Sequence, residues 1–245
     1  VFAALEFSVT PRQWCFPIAG CVSYRGYFSE QAARDYAQLL ADQGYDTYVG
    51  GVAAYSTLGF FADPLLNTFI RRDELGLAGL IFHELAHQQV YLPGDTTFNE
   101  SFASAVEMAG VKRWLQSAAR MNHAQANGVA SDARVAELLK RYQQRKLMHQ
   151  DFIATMLAGR KRLQQLYQKD IASENKRRQK QQIIDELIQR DYVAFKQRWA
   201  GQSNYDAWLH SAADRSPVIN NAKLSTLASY HQWVPAFLRL LEQQN

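Results

Sequence analysis

Two short motifs, His83–His87 (HELAH) and Asn99–Ala103 (NESFA), constrain the fold more than any other part of the sequence. Histidines four residues apart lie on one face of an α-helix, so both imidazoles of the first motif can reach one metal ion. Pro93 and Gly94 lie between the motifs and predict a reversal that returns a second helix against the first. Small Ala103 would let these helices approach closely. The residues predicted to anchor the first helix in the core are Leu80, Ile81 and Leu85.

Together the motifs supply the donor set of a catalytic zinc site. Catalytic Zn²⁺ takes three protein ligands and keeps one position open, and we expect His83, His87 and Glu100 to be those ligands. Glu84 is predicted to be the general base that takes a proton from water. Taken alone, Glu100 would be an ordinary solvated carboxylate that the helix dipole favours. Its separation from the first motif favours the ligand interpretation.

Further residues are expected to support this site. Glu107 follows Glu100 by seven residues on the same helix face and, with Asn99, is a candidate partner of the ligands; an unrelated helix carboxylate is the alternative for Glu107. Tyr230 is predicted to donate a hydrogen bond to the oxyanion of peptide hydrolysis, with Tyr55 in reserve; a half-buried packing aromatic is the alternative for Tyr230. The residues expected to contact an extended peptide substrate along an edge strand are Gly51, Val52, Ala53 and Tyr55.

The apolar periodicity predicts an α+β fold that is mostly helical, with a small sheet. Ser29 is expected to cap a helix that Gly44 ends, and Tyr45–Ala54 is expected to form a strand. Thr96 or Thr97 is expected to cap the helix that carries NESFA.

A long antiparallel helical hairpin is predicted in the second half of the chain, with its turn within Glu174–Lys180. A further helix is expected around Trp233–Leu241. We therefore predict a zincin-like catalytic core over residues 1–125, a helical hairpin insertion over 126–200, and a C-terminal segment over 201–245 that returns to the core.

The hairpin also concentrates positive charge. Residues 134–198 contain 16 Lys and Arg against 7 Asp and Glu, whereas the remainder contains 11 against 16. A basic region can indicate a nucleic-acid or membrane partner. Here the basic residues alternate with Gln and apolar positions, which favours a solvated helical arm, and no nucleic-acid partner is expected.

Cys15 and Cys21 are the two cysteines of the chain and bracket a short segment. Pro17 and Gly20 could bend that segment enough for a disulfide, which would indicate an oxidising compartment. Two buried free thiols are an equally good interpretation.

HExxH followed by NExxA resembles the gluzincin metallopeptidases, and most of the chain more closely resembles a bacterial family called putative aminopeptidases, often lipoproteins. The stretches that carry this resemblance are Trp14–Glu30, Ala54–Thr68, Leu77–Gln88, Gly94–Ala103 and Asn220–Leu241.

The resemblance implies a zinc peptidase of the periplasm that hydrolyses peptides or proteins and is anchored to the membrane through a lipidated N-terminus. The sequence opens at Val1 without a Met, so we expect it to be part of a longer precursor. Zinc aminopeptidases of the gluzincin class carry a Gly-x-Met-Glu-Asn strand before HExxH, whereas Gly50–Ala54 contains no acid, which leaves aminopeptidase specificity without support. The alternative function is a non-catalytic, zinc-containing envelope binding or scaffold protein that uses the basic hairpin.

Overall fold

The computed structural model describes residues 1–16, 20–51, 73–123, 129–201, 205–211, 218–227 and 233–243. This part of the chain is mostly helical with two small sheets, as the α+β prediction requires. It divides into two compact units: unit 1 is Val1–Gly50 with Leu147–Ala228, and unit 2 is Gly51–Lys146 with Ser229–Asn245. The division at residues 125 and 200 stays a prediction. Across the described ranges, no helix is long and apolar enough to cross a membrane.

Two antiparallel strand pairs form the sheets of unit 1. Strand β1 (Phe2–Leu5) pairs with β4 (Tyr45–Tyr48), and β2 (Trp14–Phe16) pairs with β3 (Gly20–Val22). Cys15 and Cys21 lie opposite each other in the second pair and form a disulfide. The disulfide interpretation of these cysteines is therefore the one that the structure supports.

Helix α1 (Glu30–Asp42) begins and ends where the sequence predicts. The Ser29 hydroxyl accepts a hydrogen bond from the Ala32 amide, which is the geometry of an N-cap. Gly44 follows the helix with a φ of 86°, a conformation that glycine adopts without steric cost. The strand prediction is too long, because β4 ends at Tyr48.

The helical hairpin comprises α4 (Val129–Tyr167) and a second run made of α5 (Ser173–Glu186), a π-helical turn (Leu187–Tyr192) and α6 (Val193–Arg198). The turn predicted within residues 174–180 is wrong, because that stretch is inside α5. Its Lys, Arg and Gln side chains are good helix formers. The lack of apolar residues there reflects a solvated helix face and not a chain reversal.

Aromatic rings cluster around Phe152 in the core of unit 1. The Phe152 ring stacks on Tyr205 with centroids 4.1 Å apart and meets the edges of Phe195 and Trp208 at 5.7 and 5.3 Å. Two short helices complete the unit, α7 (Asp206–Leu209) and α8 (Asn221–Ser225). Neither was predicted, because helices this short show no apolar period.

Unit 2 contains α2 (Glu74–Gln89), α3 (Thr96–His123), the first part of α4, and α9 (Val234–Gln243). The cap of α3 is Asp95 and not Thr96 or Thr97, since the Asp95 carboxylate accepts a hydrogen bond from the Phe98 amide at 2.9 Å. A carboxylate immediately before the first helical residue is among the best N-caps, so the helix begins one residue earlier than a cap at Thr96 would require.

Helices α2 and α3 approach closely through small residues. A Cβ added to Gly110 would lie 2.7 Å from the Phe82 ring, and a Cβ added to Gly79 would lie 3.0 Å from Glu107 Oε1. Ala103 is fully buried.

The prediction that Leu80, Ile81 and Leu85 anchor α2 is wrong. Ile81 and Leu85 are exposed by 39% and 48%, and Leu80 is only partly buried. The buried face of α2 instead carries small residues beside a few larger ones: Leu75, Gly79, Ala86 and His87. The packing of α2 against α3 therefore turns one histidine of the HELAH motif towards the interior.

Candidate metal centre

Helices α2 and α3 bring the three predicted ligands together. One nitrogen each of His83 and His87 and one oxygen of Glu100 all lie within 4.8 Å of one another. The Nε2 atom of His83 lies 3.2 Å from Glu100 Oε2, and the Nε2 atom of His87 lies 3.8 Å from Glu100 Oε1. This group can hold a metal ion.

The donor set fits a tetrahedral divalent metal. Two imidazole nitrogens and one carboxylate oxygen are common ligands of Zn²⁺, with bonds of about 2.0–2.1 Å. Ligand atoms at the corners of such a tetrahedron are about 3.3 Å apart. The distances of 3.2 and 3.8 Å from the imidazole nitrogens to Glu100 are close to that separation.

His87 has the properties of a neutral metal ligand. Its side chain is buried, and its Nδ1 atom has no hydrogen-bond partner among the described residues. Burial lowers the pKa of His87; the Glu100 carboxylate opposes that shift and the neighbouring His83 adds to it. A lowered pKa keeps the imidazole unprotonated at neutral pH, and only an unprotonated nitrogen can bind a metal.

His83 lies between two carboxylates. Its Nδ1 atom is 3.7 Å from Glu107 Oε2, while its Nε2 atom faces Glu100. Burial alone would lower the pKa of His83, but hydrogen bonds to Glu100 and Glu107 outweigh burial and raise the pKa to about 9. Without a metal, His83 therefore carries a proton at neutral pH, which a metal ion would displace.

Glu107 is held by two residues of α4 that the sequence did not single out. Lys146 forms a short ion pair with Glu107 Oε1, and the Tyr142 hydroxyl donates to the same oxygen at 3.3 Å. Burial would raise the pKa of Glu107, but hydrogen bonds to His83 and Lys146 and the charge of Lys146 lower it to about 2. Glu107 is therefore an anion that faces the outer nitrogen of His83.

Asn99 is buried and serves the connection between the two helices. Its amide donates to the Leu92 carbonyl and accepts from the Leu92 N–H, both at 2.8 Å. Because Asn99 precedes Glu100, these two hydrogen bonds fix the start of α3 and with it the backbone of Glu100. Glu84 lies on α2 between the two histidines and is partly buried.

The C-terminal helix packs on the helix that carries Glu100. The Phe237 ring meets the edges of Phe98 and Phe102 at 5.2 and 5.6 Å, and the Trp233 amide donates to the Ser101 hydroxyl at 3.3 Å. Among the predicted substrate-binding residues, Gly51 is exposed and lies outside any strand. The predicted site residues that lie outside the described part of the chain are Val52, Ala53, Tyr55 and Tyr230.

The full length of the chain, residues 1–245, matches the model of a family described as "Putative aminopeptidase". The chain belongs to this family, which confirms its resemblance to the putative aminopeptidases. No curated protein and no solved structure matches the sequence.

Proposed function

We propose that this protein is a zinc-dependent peptidase of the gluzincin type, with a zincin-like catalytic domain. The observation that carries the proposal is the convergence of His83, His87 and Glu100 within 4.8 Å, on two helices, in a chain of an aminopeptidase family. Three protein ligands of this kind leave a tetrahedral metal one position for water or substrate, which is the arrangement of catalytic zinc sites.

In the proposed mechanism, His83, His87 and Glu100 hold the metal. A bound Zn²⁺ would supply Lewis-acid polarisation of the peptide carbonyl and lower the pKa of the attacking water. Glu84 accepts a proton from the attacking water while the water oxygen bonds to the carbonyl carbon. Glu84 then passes the proton to the leaving amine as the C–N bond breaks.

Glu107 and Lys146 are proposed to position His83. A carboxylate beside the outer nitrogen of a metal-bound imidazole fixes the ring orientation and raises its basicity as a ligand. Glu107 lies in this position, with its Oε2 atom 3.7 Å from His83 Nδ1. Its ion pair with Lys146 keeps the Glu107 carboxylate ionised.

Tyr230 is proposed to stabilise the oxyanion of the reaction. Supporting this role, the Trp233 amide is bonded to Ser101, the residue that follows Glu100. The residue three positions after Tyr230 is therefore bonded to the helix that carries Glu100. The proposed substrate is an extended peptide that runs along Gly51–Ala54, with Tyr55 in contact.

We also propose that the protein acts in the periplasm, anchored as a lipoprotein. The Cys15–Cys21 disulfide supports an oxidising compartment, where such bonds form and persist.

The charge pairing of the hairpin disfavours the alternative envelope-binding function. Several of its basic residues already form ion pairs with carboxylates of unit 1. Lys180 pairs with Asp46, and Arg162 pairs with both Glu186 and Asp191. Basic groups neutralised in this way contribute little to attraction of an anionic polymer.

Metal analysis of ligand variants tests the proposal. The purified protein should hold about one Zn²⁺ per chain, and His83→Ala and Glu100→Ala should each lose most of it, because two remaining ligands bind zinc weakly. His149→Ala and Glu137→Ala are matched controls, since both residues lie on α4 outside the ligand group, and both should keep the metal. Full zinc occupancy in both ligand variants would refute the assignment.

A further inference from the structure

Lys223 of α8 is buried in unit 1 without a charged partner. Its side chain is only 4% exposed, and its ammonium lies 4.7 Å from the centroid of the Tyr48 ring and 5.0 Å from that of Trp208. A buried lysine is usually paired with a carboxylate. Within the ranges that the structure describes, Lys223 Nζ forms no salt bridge and no hydrogen bond.

The carboxylate of β4, that of Asp46, is engaged by other residues. Asp46 Oδ2 accepts from Lys180 Nζ at 2.8 Å and from the Asn221 amide at 2.9 Å. The faces of Tyr48 and Trp208 attract the ammonium of Lys223 through their π electrons, but they do not replace hydrogen-bond acceptors. An ammonium has three N–H donors, and those of Lys223 have no acceptor in the described chain.

Lys223 lines a pocket of about 540 Å³ formed by residues of α1, of β4 and its following residue, and of the segment leading into α8. Volumes of this size are typical of sites for small molecules. No carboxylate is found among the described residues that line it. Its apolar wall consists of Ala37, Val49, Val218 and Ile219.

The pocket has one uncompensated positive charge. Arg34, the other cation of its lining, is 63% exposed and pairs with Glu30 at 2.6 Å. Lys223 therefore matches a head group with a single negative charge, and the apolar wall matches a hydrocarbon group beside that head. A phosphate dianion would require a second unpaired cation.

We propose that this pocket binds a small carboxylate with an apolar tail, whose carboxylate accepts hydrogen bonds from the Lys223 ammonium while the tail contacts the apolar wall. All residues of this site belong to unit 1, whereas the metal ligands belong to unit 2. The inference therefore does not depend on the proposed peptidase activity.

The protonation of Lys223 agrees with this assignment. Burial lowers the pKa of Lys223 to about 8. The ammonium is thus predominantly charged at neutral pH yet poorly solvated, so an anion meets a cation that has lost part of its competing water.

Calorimetric titration of the full chain with hexanoate and with N-acetylleucine tests the proposal. At least one should bind saturably, and tighter binding of N-acetylleucine would identify a peptide carboxyl terminus as the source, whereas tighter binding of hexanoate would identify an alkyl carboxylate. Affinity should rise from acetate to hexanoate, because the longer tail buries more apolar surface. Tighter binding of inorganic phosphate than of either carboxylate, or no saturable binding of either, would overturn the proposal.

Substitution of the lysine supplies the matched comparison. Lys223→Met keeps a similar volume between the two rings and should weaken carboxylate binding at least about tenfold, since a charge-assisted hydrogen bond is lost. Lys161→Met removes an exposed lysine of α4 in the same unit and should leave binding unchanged.

Chemical labelling keeps the test decisive if Lys223→Met does not fold. Acetylation of Lys223 in the parent protein by acetic anhydride, followed by mass spectrometry, should slow severalfold in saturating hexanoate, while acetylation of Lys161 should not change. Equal labelling of Lys223 with and without hexanoate, or equal affinity of parent and folded Lys223→Met, would show that the pocket is not a carboxylate site.

Discussion

The two units of the molecule differ in how their buried ionisable groups are neutralised. Unit 2 places two carboxylates, Glu100 and Glu107, beside His83, whose pKa is raised to about 9, and Lys146 pairs with Glu107. The described charges of that cluster therefore balance, and a metal ion would take the place of the His83 proton. Unit 1 holds the Lys223 ammonium between aromatic rings, without a counter-ion among the described residues and beside the pocket that we propose for an anion. The sign of such an unbalanced buried charge indicates the sign of the ligand that would complete it.

The units also differ in what surrounds those charges. The core of unit 1 packs a cluster of aromatic rings around Phe152 among aliphatic side chains, whereas α2 and α3 of unit 2 meet through glycine and alanine. Aromatic packing contributes stability through a large buried apolar area. Small residues contribute less area but let ionisable side chains of two helices approach within bonding distance. We therefore expect substitutions in unit 2 to change chemistry and substitutions in unit 1 to change stability.

The largest effect is expected in the chemistry of unit 2, at Glu84. Glu84→Gln removes the general base and should lower kcat for peptide hydrolysis by about 10²–10⁴-fold. The zinc content and the melting temperature should stay near those of the parent protein, because Glu84 is proposed as a base and not as a ligand. Glu137→Gln on α4 serves as the control and should be fully active. Loss of zinc from a folded Glu84→Gln protein would contradict the assigned role.

The second-largest effect is expected on the free energy of unfolding, in the core of unit 1. Phe152→Ala leaves a cavity between three aromatic rings and should lower the free energy of unfolding by about 3–5 kcal/mol. Phe28, whose side chain is fully exposed, is a matched control in the same unit, and Phe28→Ala should change stability by less than about 0.5 kcal/mol. Chemical denaturation measures both. A cost below about 1 kcal/mol at Phe152 would remove the contrast between the units.

The sequence predicted the metal centre better than the fold around it. The positions of His83, His87 and Glu100 follow from helix periodicity and one chain reversal, which are local properties. The helix boundaries at Ser29 and Gly44 were also predicted correctly, because capping depends on a few adjacent residues.

What the sequence did not predict depends on contacts distant in the chain. Lys146 meets Glu107 across 39 residues, and no local pattern marks it among the other basic residues of the hairpin. Lys223 follows two asparagines in a segment without periodicity, so its burial depends on Tyr48 and Trp208, which are remote in the sequence. The exposed positions of Ile81 and Leu85 show that apolar character alone does not identify the face of a helix that packs against its neighbours.

A smaller effect is expected for the residue that supports His83. Glu107→Gln keeps the size of the side chain but removes the negative charge near His83 Nδ1, and should weaken zinc binding about 10–100-fold. Competition with a chromophoric chelator measures this affinity. Glu137→Gln is again the control, since Glu137 is an exposed carboxylate paired with Arg141 on α4. Unchanged zinc affinity in Glu107→Gln would show that Glu107 does not position His83 and only forms a structural ion pair with Lys146.

The last effect is expected in the pH dependence of stability, and it concerns the buried cation of unit 1. The pKa of Lys223 is lowered by burial from its ordinary value of 10.5 to about 8, so between these pH values the unfolded chain binds more protons than the folded one. The contribution of Lys223 to the free energy of unfolding therefore rises with pH across that window, by at most about 1.4 kcal/mol for each pH unit.

The comparison of Lys223→Met with the parent protein isolates this contribution. The variant has no buried charge, so its stability relative to the parent should be greatest below pH 8 and should decline steadily towards pH 10.5. Tyr48 does not add to the slope at the lower end of the window, because burial raises its pKa above the ordinary value of 10.0. Groups that titrate alike in both proteins cancel in the difference, and Lys161→Met should show a constant difference from the parent. Denaturant titrations at intervals of half a pH unit measure the trend. A difference between Lys223→Met and parent that does not vary with pH would mean that the folded protein solvates the ammonium as well as water does. The contrast between a balanced charge cluster in unit 2 and an unbalanced buried cation in unit 1 would then be lost.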